Sequence, residues 1–109
     1  MTGSWIEAQD ACRSRYNSNL TSFHSAKESD FVRQIANIFR LDSVWIGLNK
    51  LDSADGNYEW VDGSDLTYTN WVIGEPSGGI ENCAAQWNSG LNWIDLPCAS
   101  DYFLPYVCD

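Results

Sequence analysis

Four cysteines, at positions 12, 83, 98 and 108 of a 109-residue chain, constrain this sequence more than any other feature. The count is even and no pair has C-x-x-C spacing, which points to disulfides and away from a zinc or redox motif. Four cysteines allow three pairings, and spacing alone does not choose among them. Disulfides also favour an oxidising, extracellular setting. Asn19-Leu20-Thr21 matches the acceptor triplet for N-glycosylation and agrees with secretion, although triplets this short also arise by chance.

The length suits a single domain, 1–109, with a single core. Aromatic residues make up 14% of the chain and include six Trp, too many for a disordered segment. No apolar run approaches the roughly 18 residues of a membrane helix, so membrane insertion by this domain is not expected. The chain passes directly from Met1-Thr2-Gly3 into a helical pattern and reads as a mature or recombinant segment. Net charge is −9 and unevenly spread. Residues 1–50 hold all six basic side chains and five acidic ones; residues 51–109 hold ten acidic side chains and no basic one. A C-terminal half without cations argues against nucleic acid or anionic lipid as partner. It reads either as a solvated acidic surface or as carboxylates gathered around a cation.

Ser4-Trp5-Ile6-Glu7 is a capping box, and Trp5, Ala8, Cys12 and Tyr16 follow at helical spacing, which predicts a helix over 4–16. Ser25-Ala26-Lys27-Glu28 is a second box, and Phe31, Ile35 and Ile38 continue one face of a helix over 25–40. Beyond Leu41 the pattern becomes strand-like: 44–48, 58–61, 83–88, 91–95 and 103–108. A stretch over 62–82, rich in Gly, Asn, Asp, Ser and Pro, carries Tyr68 and Trp71, and a loop of that length is usually functional. Helices followed by short strands define an α+β domain.

These residues resemble the C-type-lectin-like family over nearly the whole chain. Trp45-Ile46-Gly47-Leu48 matches its WIGL run, and Trp60 with Asp62-Gly63 matches its W-x-D-G turn. Asn70-Trp71 with Glu75-Pro76 matches its N-W…E-P loop. Cys83, Trp93-Ile94-Asp95 and Cys98 match its C…W-x-D-x-x-C segment, and Val107-Cys108 its closing strand. The resemblance implies the disulfides Cys12–Cys108 and Cys83–Cys98. It also implies a first strand before the first helix, paired with the last strand. Only three residues precede Ser4, so that strand is expected to be missing or trimmed, or the last strand to have an open edge. By family position Trp5, Trp45, Trp60, Trp71 and Trp93 are core. Trp87 is the least determined of the six; alternation allows it to face outward, and we place it in the core.

In sugar-binding members a calcium ion is held by an E-P-N triplet, a Glu two residues before the cysteine matched by Cys83, and the N-D of W-N-D. Two sugar hydroxyls complete its shell. Carried over position by position, Glu75 and Pro76 match, Ser77 replaces Asn, Glu81 matches, Ile94 replaces the second Asn, and Asp95 matches. The resemblance therefore implies Glu75, Ser77, Glu81 and Asp95 as calcium and carbohydrate ligands, in the weak extracellular range of about 0.1–1 mM or worse, because calcium wants six to eight oxygens. Alternatively, Glu75-Pro76 is ordinary loop and Asp95 before Leu96-Pro97 is turn chemistry. A second site near Asp55, Glu81 and Asn82 is disfavoured by Gly78, which replaces an acidic residue.

Catalysis is not expected. His24 is the only histidine and lies beside a helix cap, so no Ser has a His and Asp to activate it. Two readings remain. One is a secreted or cell-surface calcium-dependent module for glycans, of mannose type if the Glu75 triplet acts as in the family. The other is a calcium-independent module for a protein or surface ligand.

Overall fold

The computed structural model describes residues 2–38, 42–51, 56–72, 81–87, 92–98 and 104–108. Strand β1 (Thr2–Gly3) leads into helix α1 (Trp5–Tyr16). The Ser4 hydroxyl accepts from the Glu7 N–H at 3.2 Å and the Glu7 carboxylate accepts from the Ser4 N–H at 3.1 Å, so the capping box forms as expected. Trp5, Ala8 and Cys12 are buried along one face; Tyr16 does not extend that face and is 56% exposed. The helix stops at Asn17, whose left-handed backbone (φ 50°) turns its N–H back onto the Cys12 carbonyl.

Helix α2 (Ala26–Ile38) starts at the second box, with a variation. The Ser25 hydroxyl accepts from the Glu28 N–H, but the Glu28 carboxylate takes the N–H of His24, at 2.8 Å. The imidazole of His24 lies 6.1 Å from the Trp60 ring. The apolar stripe of α2 is not its core face. Ser29, Val32 and Ala36 are buried, while Phe31 is 62% and Ile38 76% exposed. One residue along a helix is a rotation of about 100°, so the buried stripe lies roughly one step round from the apolar one. Chemistry at Ser29 explains the rotation. Its hydroxyl donates to the buried Gln86 Oε1 at 2.7 Å, Gln86 Nε2 returns a bond to the Ser29 carbonyl, and the Trp93 indole donates to the same Oε1. A polar pair that satisfies itself can be buried, and Ala36 lets the helix approach closely.

The main sheet has the order β3-β2-β4-β5 and is antiparallel throughout, from β2 (Ser43–Asn49), β3 (Glu59–Trp60), β4 (Glu81–Trp87) and β5 (Trp93–Pro97). The first strand, expected to be missing or trimmed, is present in short form: Thr2 and Gly3 of β1 pair with Pro105 and Leu104 of the last strand, β6 (Leu104–Pro105). The WIGL run is buried in β2 and its glycine is a packing requirement. A Cβ on Gly47 would lie 2.8 Å from the Leu20 carbonyl and 2.9 Å from Val61, where the 20–21 backbone crosses the strand. The indole N–H groups of Trp5 and Trp45 donate to the carbonyls of Ile46 and Gly3, each at 2.8 Å, pinning α1 and β1 to the sheet. Trp87 corrects the core expectation. It ends β4 and is 45% exposed, on the alternate position to the buried Gln86.

Two clusters make the core. One joins Phe23, Val32, Ile46, Trp60 and Trp93 between α2 and the sheet; the other joins Trp5, Cys12, Trp45, Cys83 and Cys98 beneath α1. Trp93 is the hub of the first, edge-on or tilted to Phe23, Trp60, Tyr68 and Trp71 at 5.6–5.8 Å. Trp71 is only half-buried but packs on this cluster as expected. The 62–72 part of the long segment is anchored by these contacts and by backbone bonds from Val72 to the Trp93 carbonyl and from Trp93 to the Asn70 carbonyl.

The W-x-D-G turn is held at Asp62. Its carboxylate accepts from Ser22 Oγ at 2.6 Å and from the Ser64 N–H at 2.9 Å, and Gly63 takes φ 83°, a conformation suited to glycine. Partial burial pushes this carboxyl up, but the bonds from Ser22 and Ser64 outweigh it and hold it below its ordinary 3.8. A depressed carboxyl pKa stabilises the fold above the unfolded value, and that stabilisation is lost as pH falls through the folded value. The drop in unfolding free energy between about pH 6 and about pH 3 should therefore be smaller in Asp62→Asn, by about 0.5 kcal/mol after solvent screening. Urea titrations at the two pH values measure it, and equal drops would show that Asp62 carries none of the acid sensitivity.

Candidate calcium and carbohydrate site

The two disulfides form as implied. Cys12 joins Cys108 with Cα atoms 5.6 Å apart, and Cys83 joins Cys98 at 5.2 Å. The first ties α1 to the segment after β6; the second closes the end of the β4–β5 pair. There Glu81 pairs with Pro97, Cys83 with Leu96, Ala84 with Asp95 and Ala85 with Ile94, with a register irregularity between Glu81 and Cys83. A bulge of this kind bends the strand and re-aims the side chains beside it. Pro97 is tolerated in β5 because that strand is the sheet's edge.

Asp95 lies inside a strand, 2% exposed, so the turn reading of Asp95-Leu96-Pro97 is corrected. By alternation its side chain shares a face with Trp93. Ile94 and Leu96 point the other way and pack on the cluster beneath α1. Ile94 is thus half-buried hydrocarbon where the family pattern has an amide oxygen. The backbone of Glu81 enters β4, so the fold sets Glu81 and Asp95 on neighbouring strands, with Glu81 opposite Pro97 and Asp95 opposite Ala84. Glu75 and Ser77, in 73–80, and the Glu81 side chain lie outside the described residues, as does Asp55 of the second candidate site. Among the described residues no three His, Cys, Asp or Glu side chains converge as metal ligands would. The candidate set is all oxygen, which suits a hard cation in kind; with a hydroxyl for one amide and hydrocarbon for the other, it falls short in number.

Sequence reasoning passed over Gln86 and Ser29. Both are buried and both set how α2 and Trp93 sit against β4, and hence the strand pair that carries Asp95. A polar residue between Ala85 and Trp87 was the available signal, since a lone polar side chain in an apolar strand needs a partner.

Two helices against a short-stranded antiparallel sheet, braced by one long-range disulfide and one across a strand pair, define a small disulfide-framed α+β domain. The family profile described as Lectin C-type domain matches residues 2–109, and the chain belongs to that family. It is 43% identical over 107 residues to the low affinity immunoglobulin epsilon Fc receptor of Mus musculus, covering 96% of this chain and 30% of that protein. It is 34% identical over 112 residues to echinoidin of Heliocidaris crassispina, covering 88% of this chain and 76% of that one. Among solved structures, the cow C-type carbohydrate-recognition domain of CD23, determined in the presence of GlcNAc2Man3 oligosaccharide, superposes with a TM-score of 0.81 at 38% identity, covering 98% of this chain and 79% of that one. The chain thus spans less than a third of the mouse receptor it matches. Among the described residues no helix is long and apolar enough to cross a membrane.

Proposed function

We propose that this domain is an extracellular carbohydrate-recognition module that uses a weak calcium site made by Glu75, Ser77, Glu81 and Asp95. The observation that supports the reading is the β4–β5 register, which sets Asp95 beside the strand that Glu81 opens, and Glu75 and Ser77 precede that strand in sequence. Three carboxylates gathered there repel one another, and a divalent cation relieves the repulsion. Calcium left short of protein oxygens accepts hydroxyls from a ligand, and vicinal sugar hydroxyls are suited to that role. Glu75 favours mannose-type sugars. The relative solved with GlcNAc2Man3 supports a glycan ligand. Two disulfides support an oxidising, extracellular setting. No catalysis is proposed: His24 is the single histidine of the chain, its backbone N–H serves the α2 cap and its ring lies beside Trp60, and the similar proteins include a receptor and a carbohydrate-recognition domain.

A second reading rests on Ile94. Its packing on the α1 cluster favours a module that recognises a protein or surface without calcium. A glycan array at about 1 mM calcium and again in chelator separates the two. Mannose-type binding lost in chelator is the expected result. A melting temperature indifferent to calcium, with no glycan signal in either condition, would favour the second reading.

A further inference from the structure

We propose that Asn19 carries an N-linked glycan, attached before the domain folds. Asn19-Leu20-Thr21 is the only Asn-x-Ser/Thr triplet in the chain. A triplet alone is weak; the hydrogen bonds around this one add a geometric argument. The Leu20 N–H donates to Gln9 Oε1 at 2.9 Å. A backbone amide can only donate, so the oxygen of the Gln9 side chain must face Leu20. The other branch of that side chain is then its NH2 group, which meets Asn19 at 2.8 Å. Only the Asn19 oxygen can accept there. Asn19 Nδ2, the atom that bears the sugar in an N-glycan, is therefore the branch turned away from Gln9. A glycosylated asparagine keeps its Oδ1, so the Gln9 bond survives the modification.

The surroundings fit. Asn19 is half-buried just beyond the turn that ends α1, where Tyr16 and Asn17 are exposed. The +2 residue is not accessible in the folded domain. Thr21 is 4% exposed, and its backbone is bonded on both sides, its N–H to the Val107 carbonyl and its carbonyl to the Gly47 N–H. A transferase that must read Thr21 can act only on the unfolded chain. Transfer is thus assigned to the entry of the chain into the secretory compartment, where the disulfides also form. In the reaction Asn19 Nδ2 attacks C1 of an oligosaccharide carried on a lipid diphosphate. The Nδ2–C1 bond forms, the C1–O bond to the diphosphate breaks, Nδ2 gives up one proton, and the lipid diphosphate leaves. The proposal stands independently of calcium and of sugar recognition.

The test is secretion of the full chain from animal cells, then digestion with peptide N-glycosidase, which leaves Asp where a glycosylated Asn stood. The wild type should show a mobility shift and Asp at position 19 in its peptide map. Asn19→Asp keeps an oxygen for Gln9 and should abolish the shift while leaving the disulfides closed; Thr21→Ser should retain it. Secreted, disulfide-closed wild type with unmodified Asn19 overturns the proposal. So does a shift that persists in Asn19→Asp. Addition of the glycan to already folded, purified protein by the transferase would overturn the assignment of transfer to the unfolded chain.

Discussion

Replacing Cys12 and Cys108 together with Ala should lower the unfolding free energy by about 3–5 kcal/mol, enough to leave a marginally stable domain partly unfolded at physiological temperature. The two cysteines are 96 residues apart in sequence, so the bond removes most of the freedom of the unfolded chain. It also reinforces a C-terminal segment whose strand pairing among the described residues is short: β1 and β6 are two residues each, with single bridges from Leu20 to Cys108 and from Trp45 to Tyr106. Removing Cys83–Cys98, with a separation of only 15, should cost less by about 1–2 kcal/mol if loop closure governs the difference. Urea unfolding of the two double variants reads both values. Cys12, Cys83 and Cys98 share one buried cluster with Trp5 and Trp45, so the quadruple variant should depart from additivity. Equal losses from the two double variants would show that packing in that cluster, not chain entropy, sets the contribution of each disulfide.

What was legible in the sequence is what local geometry demands. Gly47 has no room for a Cβ, Gly63 sits at positive φ, and Ser4 and Glu7 cap a helix within one turn. Each such demand marks one residue type at one position, as Gly47 does within the WIGL run. Long-range choices left weaker marks. The face that α2 turns inward depends on Ser29 meeting Gln86, 57 residues away, and a hydrophobic stripe read alone points to Phe31 and Ile38 instead. Trp87 departs from expectation for a related reason: size argues for burial, while the side of the strand is decided by the buried Gln86 next to it. At the candidate site, Asp95 was legible as the last residue of a strand over 91–95, but the strand's continuation through Leu96-Pro97 was not, because that pair reads as a turn unless the edge position of β5 is known.

Restoring both amides, as Ser77→Asn with Ile94→Asn, should tighten calcium binding at least about tenfold relative to the wild type, since each adds an oxygen to a set already rich in carboxylate. Position 94 matters more. Its neighbour Asp95 points to the opposite face of β5, so one cation can meet both side chains only from beside the strand. Ile94 supplies no oxygen from its face and commits its side chain to the α1 cluster. Exchange for Asn forfeits that packing, so in chelator the double variant should be less stable than the wild type, by about 1–3 kcal/mol. Calcium should recover much of this: a ligand at a hundred times its Kd stabilises the native state by about 2.7 kcal/mol. The expected signature is thus a crossing, with the variant weaker without calcium and more responsive with it. Glu81→Gln, which removes a charge from the proposed set, should weaken binding in either background. Isothermal titration of wild type, double variant and Glu81→Gln, with melting curves in calcium and in chelator, measures each of these. A double variant that loses stability and gains no affinity would mean that the carboxylates do not converge, and that Ile94 serves the core of a domain whose ligand surface lies elsewhere.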